Sequence, residues 1–408
     1  MTETVDVETG TGAPLAYPFP PAPSIYHPSP VFAQLRDQCP VAPIATPDGN
    51  SAWLATRYED VRTVLTDPRF SRAAAAGPAV PLAGLARLAA DSMLGMDPPQ
   101  HTRLRKLIAR AFTPRRIELL RPRVTELVDE LLARVLALPR PVDLMEHFSL
   151  QLPVLVICEL LGVPAEHRRF LHDWSDTVMG DWQSDPGELD RVLAELTGYF
   201  TDLIAEKRAH PADDLMTALV AARDEHDRLS ERELLALCVG LLIAGHETTV
   251  AEINMFLLTL LRHPDQLAAL RADSSLIPHA VEELLRFAQI SQGGGTLPRV
   301  TTEQVELGGV MLPAGSVVLT ATTSANRDAA AFTDPDRLDV RRPDTAHLTF
   351  GTGIHHCLGA PLARMQLQEA LYGLLRRLPD IRLAIPDEQL QFKRGMTIRS
   401  LQTLPVTW

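Results

Sequence analysis

Residues 231–263 constrain the fold of this chain more than any other stretch. Ser230 and Glu233 form a capping-box signature, in which a serine and a glutamate three residues on satisfy each other's backbone donors at a helix start. The apolar pattern then runs unbroken to His263, just before Pro264. At 1.5 Å per residue such a helix is roughly 50 Å long, enough to cross a domain of this size. Along it lies Ala244-Gly245-His246-Glu247-Thr248-Thr249. A glycine and charged or polar groups in the middle of a buried helix lower its stability, so the segment invites a functional explanation. The plain alternative is a threonine bonding its own i−4 carbonyl beside a solvated glutamate.

Helical spacing recurs at 114–138, 188–208, 276–287 and 360–377, while 297–321 reads as short strands broken at Gly308, Gly309 and Gly315. Between Val41 and Thr56 two short apolar runs flank Pro47, Asp48, Gly49 and Asn50, which supply turn chemistry for a β-hairpin. The pattern predicts a mainly α fold with a minor β region. The 408 residues, 46% of them hydrophobic, suffice for a large buried core. A Pro-rich N-terminal extension is expected over residues 1–30 and a single domain over 31–408, since no linker-like stretch interrupts the latter.

The extension begins acidic, with Glu3, Asp6 and Glu8, and lacks the basic and apolar regions of a secretory signal, so a cytoplasmic protein is expected. The longest nearly continuous apolar run, Leu234 to Gly245, falls short of the roughly 18 residues that span a bilayer, so no membrane association is expected. A net charge of −12 opposes nonspecific binding to nucleic acid. Arg103, Arg105, Lys106, Arg110, Arg115 and Arg116 nevertheless cluster locally, ordinarily the mark of a solvated helix face. Cys39, Cys158, Cys238 and Cys357 stand far apart with no CxxC pair, which indicates neither a disulfide framework nor a zinc finger.

Cys357 is set apart by its neighbours, Phe350-Gly351-Thr352-Gly353-Ile354-His355-His356-Cys357-Leu358-Gly359 and then Ala360, Pro361, Leu362, Ala363 and Arg364. Gly351 and Gly353 permit tight turns and close backbone approach to a flat cofactor. A helix starting near Gly359, with Pro361 in its first turn, would direct its partial positive end at the sulfur and favour thiolate over thiol. An isolated cysteine is ordinarily a small buried hydrophobe. A metal set of His355, His356 and Cys357 is the other alternative, but three consecutive residues do not readily converge on one tetrahedral ion.

This string closely resembles the haem-binding signature of the cytochrome P450 superfamily. The resemblance implies the fold of that family, with haem b held between the long central helix and the Cys357 loop, and Cys357 as the ligand to the haem iron. A thiolate ligand pushes electron density to iron and favours O–O cleavage. Further motifs follow in the family's order from residue 97 to 364. Glu283-Leu284-Leu285-Arg286 matches the ExxR motif, with Arg337 expected as the third member of a structural network. Alone, an i, i+3 ion pair is common on surfaces and contributes at most about 1 kcal/mol. Leu338 stands where many relatives carry an aromatic residue.

By the same resemblance, Ala244 and Gly245 widen a groove for dioxygen, and Glu247 and Thr248 organise proton delivery. His101, Arg105, Arg299 and His355 are the implied partners of the haem propionates, since buried carboxylates need convergent donors. The substrate pocket is placed along 72–95, 170–183, 238–245, 289–296 and 394–397, with Met93, Leu94, Trp174, Met179, Trp182, Leu242, Ile290, Gly294, Met396 and Thr397 as lining candidates. The implied activity is monooxygenation by hydroxylation or epoxidation of a bulky apolar metabolite of polyketide, macrolide or peptide biosynthesis. It uses O2 and electrons from NAD(P)H passed by a ferredoxin reductase and a ferredoxin. Arg103, Lys106, Arg110, Arg115, Arg116 and Arg364 are the implied docking face, while Arg105 is expected to face the propionate. A peroxygenase, a nitric oxide reductase and an oxidative coupling enzyme are the alternatives, followed by a nonenzymatic haem sensor.

Overall fold

The computed structural model of the chain describes residues 14–408, apart from 21, 23–25, 47–48, 77–91, 110–111, 165–166, 168–172, 175–176, 178–185, 213, 225–228, 289, 292–296 and 394–397. The expected helices form at Pro114–Ala137, Pro186–Ala209, Glu231–Arg262, Ile277–Phe287 and Ala360–Arg377. The expected hairpin pairs Val41–Ala45 with Ser51–Ala55, from Val41 opposite Ala55 to Ala45 opposite Ser51. The 297–321 region gives strands Arg299–Thr301, Val305–Leu307, Val310–Leu312 and Val317–Thr320, with Gly308, Gly309 and Gly315 all at positive φ. Side chains with a Cβ are disfavoured in that backbone region, so these glycines punctuate the strands.

The main sheet has six strands in the order Leu15–Ala16, Val41–Ala45, Ser51–Ala55, Val317–Thr320, Arg299–Thr301 and Phe70–Ser71. Ser51–Ala55 runs parallel to Val317–Thr320, with Trp53 opposite Val318. The fold therefore begins before residue 31: Leu15–Ala16 joins the sheet beside Ile44 and Ala45. Leu15, Tyr17 and Phe19 alternate with the exposed Ala16 and Pro18, and pack on the cluster of Phe32, Leu35, Ile44 and Leu54. That period of two buries one face of the segment, a signal that its prolines obscured.

The long helix, Glu231–Arg262, lies at the centre of the main core and packs against Gln151–Leu161, Pro186–Ala209 and Ala360–Arg377. Its start is fixed by the expected capping box: the Glu233 N–H donates to Ser230 Oγ at 3.2 Å, and the Ser230 N–H donates to Glu233 Oε2 at 2.8 Å. Arg103 also pairs with Glu233. At the other end Arg262 reaches Asp387 at 2.5 Å, which accepts from the Tyr26 hydroxyl at 3.2 Å. By length and composition this helix could cross a membrane, contrary to the reading of the Leu234–Gly245 run alone, because a window average tolerates scattered polar residues. Its apolar window is 61% buried inside the protein, as in the core helix of a compact fold.

Burial on this helix extends to Glu252, which is 5% exposed and has no hydrogen-bond partner for Oε2 among the described residues. Burial holds its carboxyl well above the ordinary range. Above about pH 4.5 the unfolded chain releases this proton while the folded chain retains it. Stability then falls with rising pH, at up to about 1.4 kcal/mol per pH unit for one proton, until the folded group ionises. Glu252→Gln is isosteric and removes the titration, so the stability difference between variant and parent should grow from pH 5 to pH 8. Urea unfolding across that range checks it, and parallel pH slopes in the two proteins would contradict it.

Candidate active site

The Cys357 loop is built on its glycines. Gly351 and Gly353 have φ of 65° and 72°. A Cβ at Gly353 would stand 2.7 Å from the Leu65 carbonyl oxygen, so the close approach it permits is to the helix Tyr58–Thr66. The Cys357 N–H donates to Phe350 O at 2.8 Å, closing the loop. Gly359 precedes the helix Ala360–Arg377, with Pro361 in its first turn. Cys357 is exposed, yet burial raises its thiol pKa, a combination that describes a group facing a concavity. Against that rise act the backbone N–H of Gly359, the charges of Arg105 and Arg364, and the N–H of Ala360. Arg364 forks onto Glu282 at 2.7 and 2.9 Å and stacks on Phe350, with its guanidinium carbon 4.6 Å from the ring centroid.

The long helix has an accessible stripe in its otherwise buried middle. Ala244 is exposed, and Leu241, Gly245 and Thr248 are half-buried, while Leu242, Ile243, His246, Glu247 and Thr249 are buried. Residues 241, 244, 245 and 248 share one helix face, so this face borders open space inside the fold. Thr248 Oγ1 donates to Ala244 O at 3.2 Å, the local bond available to a helical threonine. Glu247 Oε1 lies 3.1 Å from His246 Nε2, and His246 Nδ1 lies 3.0 Å from Leu242 O. Gly245 also serves packing: a Cβ there would stand 2.8 Å from Ile157 Cδ1.

A second concentration of chemistry is cationic. The His101 and His355 rings lie 4.2 Å apart between centroids. Both ring nitrogens of His101, His355 Nε2 and Arg299 Nε are buried without a hydrogen-bond partner. Arg299 is 5% exposed, and its Nη1 donates to Phe70 O at 3.3 Å. Burial lowers its pKa to about 10, and that of His355 to about 2 with help from Arg72, Arg299, His101 and Arg105. Arg105 bonds the His356 carbonyl at 2.5 Å rather than pointing wholly away from the loop. Arg72, which sequence motifs did not mark, belongs to this group and is 7% exposed. Its only signal was its place after an apolar strand, Phe70–Ser71, that pairs with Arg299–Thr301.

The ExxR motif forms a fully buried network with one change of member. Glu283 accepts from Arg286 at 2.7 and 2.9 Å, and both residues are fully buried. The third arginine is Arg342, whose Nε donates to Glu283 Oε2 at 3.0 Å. Arg337, the expected member, turns outward to Asp339 at 3.0 Å with a side chain 63% exposed. Only its backbone takes part: Arg337 O accepts from Arg286 at 3.3 Å and from Arg342 at 2.9 Å. The Asp339 N–H adds a bond to Glu283 Oε1 at 2.9 Å. A turn closed by the Arg342 N–H on Asp339 O at 2.9 Å separates the two arginines, and it is the later one that reaches Glu283.

Among the pocket candidates, Met93, Leu94, Trp174 and Ile290 are half-buried, and Trp174 Nε1 donates to Glu195 at 2.8 Å. Leu242 is 1% exposed and lies in the core, off the accessible stripe. Met179, Trp182, Gly294, Met396 and Thr397 lie outside the described residues, as does Arg110. Cys158 and Cys238 are buried core residues.

This arrangement fits haem. A flat dianionic cofactor needs an accessible thiol, a concave apolar and small-residue wall, and cations for two carboxylates. The loop, the helix stripe and the orphaned donors of His101, His355 and Arg299 offer these. Comparison with known proteins agrees. The family model for cytochrome P450 matches residues 170–379. The chain is 47% identical to nocardicin C N-oxygenase of Nocardia uniformis subsp. tsuyamanensis, over 96% of this chain and 98% of that one. It is 47% identical to mycinamicin IV hydroxylase/epoxidase of Micromonospora griseorubida, over 92% and 94% of the two. The crystal structure of the LnmA cytochrome P450 hydroxylase of the leinamycin biosynthetic pathway of Streptomyces atroolivaceus superposes with a TM-score of 0.90 at 43% identity, covering 97% of this chain and all of that one.

Proposed function

The chain belongs to the cytochrome P450 family, and on that footing we propose that it oxidises a bulky, largely apolar natural product at a site between the Cys357 loop and the accessible stripe of the long helix. It is a haem-thiolate monooxygenase supplied with electrons by redox partners. The family's cofactor, when bound, activates O2 so that one oxygen atom enters the substrate.

The observation that carries this reading is the accessible stripe at Ala244, Gly245 and Thr248 in the middle of a buried helix. Cys357 would hold the iron as thiolate, favoured by the Gly359 and Ala360 N–H groups and the charges of Arg105 and Arg364. His101, Arg105, Arg299 and His355 would hold the carboxylates of the cofactor. The small side chain of the exposed Ala244 would leave room for dioxygen. Thr248 presents a hydroxyl whose proton, resting on Ala244 O, turns into the site, while Glu247 carries protons from the protein interior. Half-buried Met93, Leu94, Trp174 and Ile290 are apolar or amphipathic, which suits an apolar substrate. The relatives acting on nocardicin C and mycinamicin IV support a secondary metabolite as substrate.

Ferredoxin and its reductase are the partners we assign, with the ferredoxin meeting exposed Lys106, Arg115 and Arg116. Arg103 and Arg364 contribute less charge than the sequence implies, being paired with Glu233 and Glu282. A cytoplasmic setting accords with the free thiols of Cys39, Cys238 and Cys357.

Thr248→Ala tests the proton role. Electron uptake should persist, while product per NADPH consumed falls towards the ~10²-fold loss typical of removing a positioned proton donor, with peroxide making up the difference. Unchanged coupling would show that protons reach the site without this hydroxyl.

A further inference from the structure

Arg72 is buried among cations. Its Nε donates to Leu94 O at 3.0 Å and its Nη1 to Pro298 O at 3.3 Å, so two carbonyls from different segments aim the guanidinium. Carbonyls satisfy donors but do not neutralise a buried charge. Asp97 is the acidic group acting on it, and that carboxylate is already engaged. Asp97 Oδ2 accepts from Ser71 Oγ at 2.5 Å and from Ala73 N at 3.4 Å, and Oδ1 accepts from the Arg72 backbone N–H at 3.0 Å. Arg72 and Arg299 repel each other, and burial first, then Arg299, brings Arg72 down to about 9. One carboxylate thus faces both Arg72 and Arg299, beside His101, whose two ring nitrogens are buried without partners, and His355, whose Nε2 is. Two buried guanidiniums against one carboxylate leave an excess of positive charge that an anion would offset.

We propose that Arg72 is a fifth side chain for the two carboxylates of the haem, and that it supplies positive charge there while fixing the Met93–Gly95 turn at the rim of the substrate pocket. The proposal rests on the haem-thiolate reading above and adds a residue to it. Arg72 acts on the cofactor through charge and on the rim through its bond to Leu94 O. The same guanidinium therefore links how firmly the cofactor is held to where the pocket wall stands.

The test measures the rate of haem loss from the holoprotein to an excess of an apoglobin scavenger, for the parent, Arg72→Gln and Arg72→Lys. With natural haem, Arg72→Gln should lose cofactor at least about tenfold faster, and Arg72→Lys should fall between it and the parent. The proteins are then reconstituted with haem dimethyl ester, which has the same ring but no carboxylates. There the difference between Arg72→Gln and parent should collapse to less than about twofold. An acceleration that survives esterification, or none with natural haem, would overturn the proposal and leave Arg72 as a pin for the turn alone. Should Arg72→Gln fail to fold, Arg72→Lys carries the same comparison, its smaller acceleration again being lost with the ester. A parent protein that takes up haem without a thiolate spectrum would instead overturn the family reading itself, a failure visible before any variant is made.

Discussion

Cys357→Ser is expected to lose the red-shifted absorption band of the reduced, carbon monoxide-bound protein from which the family takes its name, and with it all monooxygenase turnover above background. The band reports thiolate ligation, and serine offers an alcohol far too weakly acidic to ionise at neutral pH. Another cysteine cannot take over without refolding. Cys158 and Cys238 are buried in the main core, where burial drives the Cys238 thiol up to about 12. Cys39 bonds the Val41 carbonyl beside the hairpin. The variant should still bind haem in part, because the cationic cluster does not depend on sulfur. A Cys357→Ser protein with an intact thiolate band would assign the iron to a different cysteine.

Removing the Glu283 carboxylate should have the largest effect on folding. Glu283→Ala leaves Arg286 fully buried and Arg342 nearly so, without their shared counter-charge, and strips an acceptor from the Asp339 N–H. Breaking a buried ion pair from one side costs about 3–5 kcal/mol. A typical domain has only roughly 5–15 kcal/mol of stability in total, so little folded, haem-loaded protein should accumulate. The arginines provide the internal control. Arg342→Ala should be severely destabilising, whereas Arg337→Ala should stay within about 1 kcal/mol because its side chain forms only an exposed pair with Asp339. Equal losses for the two, read by chemical denaturation and haem content, would contradict this network.

The arginine pair also marks where sequence reading stops. Glu283 and Arg286 are one helical turn apart, so their pairing follows from spacing. Their third partner is delivered by an irregular segment, where no period says whether residue 337 or residue 342 turns inward. The long helix, its cap and the hairpin were legible because each depends on local chemistry. Leu15–Ala16 was not, since it is a strand only by virtue of Ile44 and Ala45 beside it. Gly245 shows a subtler gap. Its position in the helix was evident, but its reason, the approach of Ile157 from another helix, is a tertiary fact. Arg72 combines both difficulties, lying in no motif and taking its meaning from Arg299, which joins it through strands far apart in the chain.

The register of the main sheet has a consequence for how the protein is made. Ser51–Ala55 must wait for Val317–Thr320, whose Val318 lies 265 positions after Trp53. At about 5–20 residues per second, a ribosome needs roughly 15–50 s to deliver that partner. Throughout that interval the nascent hairpin presents an unpaired edge, the kind of surface that recruits a neighbouring strand from another chain. A half-made sheet must therefore be kept apart from its copies during translation if the chain is to reach its finished core.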